Sequence, residues 1–395
     1  MENSNWKEVK LGDCSIIITG FPFKSNDYEF NGELRVVRGE NVTIGNLRWD
    51  SEKYWNKETD ALVKYFLKEE DIVIGMDGSR VGQNRSLIKS FELPLILAQR
   101  VARIRAKQDA NQLFLWYNIF SNNFKEYVEA IHTGTSIPHI SLKQIQDFEI
   151  QLPPLPEQKA IASVLSSLDD KINLLHQQNQ TLEALAETLY LNFIGEREFN
   201  SKLSDIFSLQ NGYAFKSQSF KESGTIRVIK IKNISGDIVD ITNSDFVDDE
   251  SINKLDTKFK INSGDILIAM TGAEVGKLGI VPETDQSLWL NQRVGLLKEK
   301  IEGAKYLAYL HLKSDFGQDY IENTATGSAQ PNISGEGIEN CEFPLYEETE
   351  LREICNKLSP LYDKVIFNLG QIQTLTQLRD TLLPKLMSGE VRVKM

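Results

Sequence analysis

The chain is written twice, and this duplication constrains its fold more than any other feature. Met76, Gly78, Val81 and Gly82 recur as Met270, Gly272, Val275 and Gly276, and Gln99-Arg100-Val101 recurs as Gln292-Arg293-Val294. Thr133-Gly134 with Pro138, Ile140 and Ser141 returns as Thr326-Gly327 with Pro331, Ile333 and Ser334. Near the ends of the halves, Asp170-Lys171-Ile172 returns as Asp363-Lys364-Val365, and Gln180-Thr181-Leu182 as Gln373-Thr374-Leu375. The offset stays between 192 and 194 residues. Solenoid repeats have periods of about 20–50 residues, so this is a duplicated domain. Two similar modules in one chain can read two sites at a fixed spacing, which one module cannot.

A length of 395 residues gives each half enough chain to bury its own core. No apolar run approaches membrane-spanning length, and Met1-Glu-Asn-Ser-Asn-Trp6 has no signal-segment pattern, so the expectation is a cytoplasmic protein without a membrane partner. Cys14, Cys341 and Cys355 are odd in number and lack metal-ligand spacing; they read as reduced thiols, and no metal site is expected. The net charge of −12 argues against nucleic acid as a partner at first sight. Its distribution weakens that objection. Arg80, Arg85, Lys89, Arg100, Arg103, Arg105 and Lys107 face only Glu92 in one stretch, and Lys216, Lys221, Arg227, Lys230 and Lys232 face only Glu222 in another. A local basic face is compatible with an acidic total; solvated surface is the bland alternative.

Each half divides into a globular part and a long helix, with boundaries at 1–150, 151–194, 195–343 and 344–395. Strands are predicted at Cys14–Thr19, Arg35–Arg38, Asp71–Ile74 and Ala98–Ile104, and again at Arg227–Ile231, Asp265–Ala269 and Gln292–Leu297. Helical patterns follow from about Ala110 to Ile131 and from about Ala304 to Glu322. The globular parts are therefore mixed α/β domains in a chain of the α+β class.

After Leu152-Pro-Pro-Leu-Pro-Glu-Gln158 comes a heptad stripe of Ile161, Leu165, Leu168, Ile172, Leu175, Asn179, Leu182, Ala186 and Leu189. Ile354, Leu358, Leu361, Val365, Asn368, Ile372, Leu375, Arg379 and Leu382 repeat it in phase. Sustained 4-3 spacing predicts two helices of roughly 38 residues, ~55 Å each, that pair as an antiparallel coiled coil about a pseudo-two-fold axis. Pro156 and Glu157 suit a first turn. Pro360 makes the second helix bend or start late. An axis that sets Asn179 opposite Asn368 gives each buried amide a partner and makes register slips costly. Packing of each helix on its own domain is the alternative.

Catalytic signals are poor. Gly272-Ala-Glu-Val-Gly276-Lys277 is one residue short of a P-loop and lacks the Ser/Thr that would hold Mg²⁺. The histidines have no metal spacing, and no S-adenosylmethionine fingerprint is present, so no cofactor and no catalytic residue is expected. Recognition signals are better. The loops Thr133–Ser141 and Thr326–Ser334 offer small hydroxyl and amide groups suited to phosphate oxygens and base edges; a helix cap followed by a turn explains them equally well. Lys24 and Lys216 occupy matched Phe-Lys-Ser segments. The candidate DNA-contacting set is Lys24, Arg80, Arg85, Arg100, Ser136 and His139 in the first half, with Lys216, Lys277, Arg293, Ser328, Gln330 and Asn332 in the second.

Leu152-Pro-Pro-Leu-Pro-Glu-Gln-Lys-Ala-Ile161 running into Asp169-Asp-Lys-Ile172 resembles the central region of the specificity subunit of Type I restriction–modification enzymes. Leu382-Leu-Pro-Lys-Leu-Met-Ser-Gly-Glu390 resembles that family's C-terminal ending, and Gly264-Asp-Ile-Leu267 with Leu290-Asn-Gln-Arg-Val294 its second recognition domain. The resemblance covers nearly the whole chain. It implies two target recognition domains separated by antiparallel helices, a non-catalytic role, and double-stranded DNA, two methylation subunits and restriction subunits as partners. The departure is Tyr346-Glu-Glu-Thr-Glu350, which replaces the Pro-Glu-Gln entry of the second helix. A stand-alone two-site DNA-binding regulator is the alternative, distinguished by tight specific binding without partners.

Overall fold

A computed structural model describes residues 6–131, 138–327 and 330–394. Packing divides the chain into two units, Met1–Asp170 with Thr376–Met395, and Lys171–Leu375. Unlike the boundaries drawn from sequence, this division splits each long helix between units.

Unit 1 is built on a five-stranded sheet in the order Ser15–Thr19, Val101–Ala106, Ile72–Gly75, Arg85–Leu87, Ile44–Gly45. Ile72–Gly75 is buried along its whole length, as its unbroken apolar sequence demands of a central strand. Arg35–Val37 and Leu95–Leu97 pair in parallel beside it. Unit 2 repeats the plan. Phe207–Asn211, Val294–Glu299, Ile266–Ala269, Leu278–Ile280 and Ile238–Val239 form the same succession, extended by Ile234–Ser235. Ile226–Ile229 and Ser287–Leu290 form the matching parallel pair within a second sheet.

Each predicted helix after the sheet is two helices. Gln112–Phe120 and Asn122–Ile131 break at Ser121, and Ala304–Lys313 and Asp315–Thr324 break at Ser314, whose hydroxyl caps the next helix. In unit 1 the break is held by Arg85. Its guanidinium donates to the carbonyls of Gly82 (2.9 Å), Phe120 (2.8 Å) and Ser121 (3.2 Å). In unit 2 the equivalent strand position is Leu278, and Gln318 donates instead to Gly276 (3.3 Å) and Leu312 (2.7 Å).

The long helices are Leu155–Ile194 and Glu348–Met387, 40 residues each. The second starts at Glu348, where the preceding Tyr346 stacks on Phe193, and it continues through Pro360. All residues of both heptad stripes are buried or half-buried. Much of that burial is against the globular cores: Ile161 and Leu165 belong to the core of unit 1, with Leu382 packed against it, and Ala186, Ile354 and Leu358 belong to that of unit 2. Within unit 2 the helices also pair antiparallel, and Asn368 Nδ2 donates to Asn179 Oδ1 at 2.8 Å in a buried layer, as the stripe predicts. Within unit 1 a different tie joins the helices, an ion pair of Arg379 with Asp169 at 2.9 Å. Gln158, 1% exposed, joins the first helix to unit 1 through Asn111 N–H, which it accepts, and the Asp109 and Pro153 carbonyls, to which it donates.

Candidate nucleic-acid interface

The recurrent motifs lie far apart in sequence, and the fold brings them together once in each unit. In unit 1, Met76 N–H donates to the Arg100 carbonyl (2.9 Å), Ile140 N–H to Met76 (2.9 Å) and Gly78 N–H to Pro138 (3.1 Å). In unit 2, Met270 N–H donates to Arg293 (3.1 Å), Ile333 N–H to Met270 (3.0 Å) and Gly272 N–H to Pro331 (2.8 Å). A fourth segment joins each cluster. Gln99 N–H donates to Phe21 and Gln292 N–H to Tyr213, both at 2.9 Å. Gly20 and Gly212 permit this approach, because a Cβ would stand 2.2 Å from the Ala98 carbonyl oxygen and 2.1 Å from that of Asn291.

The side chains set on this common lattice differ. Arg100, with its side chain 72% exposed, donates through Nη1 to Asp77 Oδ2 at 2.9 Å, and the other Asp77 oxygen meets His139 Nδ1. The equivalents in unit 2 are Arg293, Thr271 and Asn332. Arg293 and Asn332 are exposed, and Arg293 has no ion pair among the described residues. Asp77 and Thr271 lie outside the candidate set read from sequence. Their signal is the position directly after the recurring methionines, where the two halves differ in charge.

Lys24 and Lys216 are both exposed and sit at equivalent places, each accepting through its carbonyl at 2.9 Å the N–H that closes a short turn. Arg80, Lys277 and Gln330 are exposed, although Lys277 pairs with Glu274. Ser136 and Ser328 lie outside the described residues. Arg85 is a correction. It is 5% exposed, holds the helix break, and burial pushes its guanidinium down to about 10, so it remains charged near neutral pH but does not face solvent.

The basic stretches do not form continuous faces. Arg103 is buried and donates to the Lys64 carbonyl, Arg105 grips Asp71, and Lys107 donates to the Gly12 and Asp13 carbonyls. In unit 2, Lys230 and Lys232 share Asp245, and Lys221 pairs with Asp248. The cationic groups left exposed on or beside the lattice are few. No cluster of three or more His, Cys, Asp or Glu suited to a metal occurs among the described residues. Among those residues no helix is long and apolar enough to cross a membrane, and all three cysteines are buried free thiols.

A family profile described as the Type I restriction modification DNA specificity domain matches residues 3–184 and again residues 197–377. The chain belongs to this family. The two matches coincide with the two halves of the duplication, and the specificity family is the DNA-recognising, non-catalytic component of Type I restriction–modification. Among relatives of this specificity protein, the Type I restriction enzyme MjaVIII specificity subunit of Methanocaldococcus jannaschii is 26% identical, covering 99% of this chain and 94% of the relative. The EcoBI specificity subunit of Escherichia coli is 24% identical over 98% of this chain and 87% of its own length. The crystal structure of the Type I restriction–modification S subunit from M. genitalium shares the fold, with a TM-score of 0.65 at 18% identity and coverage of 100% and 98% of the two chains.

Proposed function

We propose that this specificity subunit reads an asymmetric, bipartite duplex DNA target, one half through each unit, and docks two methylation subunits and the restriction subunits of its system in the cytoplasm. The observation that carries this reading is the pair of equivalent backbone lattices bearing unlike side chains. The backbone hydrogen bonds correspond, and Asp77, Arg100 and His139 against Thr271, Arg293 and Asn332 make the two half-sites different. The exposed residues Lys24, Arg80, Lys216, Lys277 and Gln330 supply phosphate and base contacts around these lattices, and Ser136 and Ser328 remain candidates on sequence grounds.

The test is co-expression with a methylation subunit and mapping of methylated adenines in host DNA. The expected result is two short unlike motifs with an unread gap; half-sites about one helical turn, ~34–36 Å, apart fit helices of this length. One continuous short motif refutes the reading. Exchanging residues 1–150 for those of a related subunit should change one half-motif and leave the other half and the gap intact. An insertion after Ala186, within the heptad stripe, is unsuitable for lengthening the gap because Ala186 lies in the core of unit 2. Matched insertions at Asp170 and Leu375, where the units divide, are the better test.

A further inference from the structure

Arg100 and its counterpart Arg293 differ in more than their neighbours. Arg100 has a φ of 66°, in the left-handed region that disfavours a side chain, whereas Arg293 is not among the residues with positive φ. The lattice holds the strained turn, through the Arg100 carbonyl on Met76 N–H and the Gln99 N–H on Phe21. Its product is an arginine that stands out from the unit with one edge pinned on Asp77. Asp77 is itself fixed from a third segment by His139. Stability does not account for this arrangement, because so exposed an ion pair adds little and is screened by salt.

The contact determines where the guanidinium points. It occupies Nη1 and leaves Nε and Nη2 without a partner among the described residues. A free, aimed guanidinium edge matches the O6 and N7 acceptors of guanine in the major groove, the commonest specific arginine contact to DNA. A phosphate is a poorer match. The Asp77 carboxylate would repel an anion placed beside the same guanidinium, whereas the guanine edge carries no net charge. In unit 2 the neutral Thr271 stands at that place, and Arg293 has no such constraint.

We propose that Arg100 reads a guanine in the half-site of unit 1, with Asp77 as the positioning residue that aims it. This rests on the reading of the two units as recognisers of separate half-sites. The test uses the full chain in complex with its methylation subunit. Binding is measured on the mapped target and on every single base-pair substitution of it, across a range of salt. Arg100→Lys keeps the charge but loses the fork. It should lower preference at one G·C pair by about ten- to a hundredfold, with the other positions and the salt slope unchanged. Asp77→Asn and Asp77→Thr should relax the same pair by a smaller factor. Arg100→Asn, which tolerates positive φ, should behave like Arg100→Lys at that pair, and intact reading of the other half-site reports a folded complex.

If Arg100→Asn instead weakens binding to all sequences alike and lowers the salt slope by about one, Arg100 holds a phosphate and the proposal is overturned. Unchanged discrimination in all the Arg100 variants overturns it equally, while leaving the two-half-site reading standing. A wild-type complex that binds without sequence preference overturns that reading, and the Arg100 assignment with it.

Discussion

The two units solve the same structural problems with different residues, and the differences separate what the scaffold needs from what each unit presents. The lattice of backbone hydrogen bonds that gathers the recurring motifs is the same in both, with corresponding distances that differ by at most 0.3 Å. The polar side chains around it have diverged. Arg85 in unit 1 does for the Gly82 carbonyl and the helix break what Gln318 does for Gly276 and Leu312 in unit 2. Asn118 in unit 1, its amide turned onto the Phe114 carbonyl, stands where unit 2 has His311. The long helices are tied at non-equivalent levels, by Asp169 and Arg379 in unit 1, whose counterparts are Tyr362 and Ala186, and by Asn179 and Asn368 in unit 2. A duplicated fold conserves its backbone requirements, and it can meet a buried hydrogen-bonding need with any side chain that reaches.

The exchange at the helix break gives the largest expected effect. Arg85→Leu copies the Leu278 of unit 2 but leaves three carbonyls without their donor. Unsatisfied buried acceptors cost about 1–3 kcal/mol each, and partial solvation of the loosened break should bring the total to roughly 3 kcal/mol. Adding Lys125→Gln, which copies Gln318, should recover part of this loss. Denaturant titration followed by hydrogen exchange in residues 112–131 reads both effects. Full additivity of the two substitutions would break the equivalence of Arg85 and Gln318.

Acid should separate the units next. His311 is wholly buried, with Nδ1 on the Tyr190 hydroxyl and Nε2 on the Glu342 carbonyl, each at 2.8 Å. Nε2 donates to the carbonyl and Nδ1 accepts from the hydroxyl, so the neutral ring is satisfied. Burial pulls its pKa from 6.5 down to about 4. The unfolded chain therefore takes up the proton first as pH falls. The stability this neutral ring contributes is complete above pH 6.5 and is lost progressively below it, by roughly 2 kcal/mol at pH 5. Unit 1, with Asn118 there, has no such term. Hydrogen exchange at pH 7 and pH 5 should show selective loosening of unit 2, most of which His311→Asn removes; His176, its pKa also lowered by burial, supplies the remainder. Equal loosening of both units would contradict the assignment.

The helix ties give the smallest difference. Asn368→Leu strands Asn179, which is 4% exposed, and should cost about 1–2 kcal/mol. Arg379→Leu breaks a half-buried ion pair whose carboxylate still accepts from the Tyr117 hydroxyl at 2.8 Å, and should cost about 1 kcal/mol or less. Thermal melts of the two variants at low and high salt check this, with the Arg379 effect alone shrinking as salt rises.

The sequence by itself determined the duplication, seven of the sheet strands, the two long helices and the facing of Asn179 and Asn368. These are matters of periodicity: a stripe repeating every seven residues, or an apolar run such as Ile72-Val-Ile-Gly75, already states which side must be buried. It also displayed the motifs of the candidate interface, because a second copy made them visible. Only the tertiary structure decided which charged residues remain on the surface. Arg85 and Arg103 look like Arg80 and Arg100 in the sequence, but two are enclosed by carbonyls from distant segments and two are exposed. The helix breaks at Ser121 and Ser314 and the division of each long helix between units were settled there too. The physical reason is common to all of them. A charge can be buried, or a helix ended, only where partners remote in sequence satisfy the exposed polar groups, and no local pattern records where those partners will be.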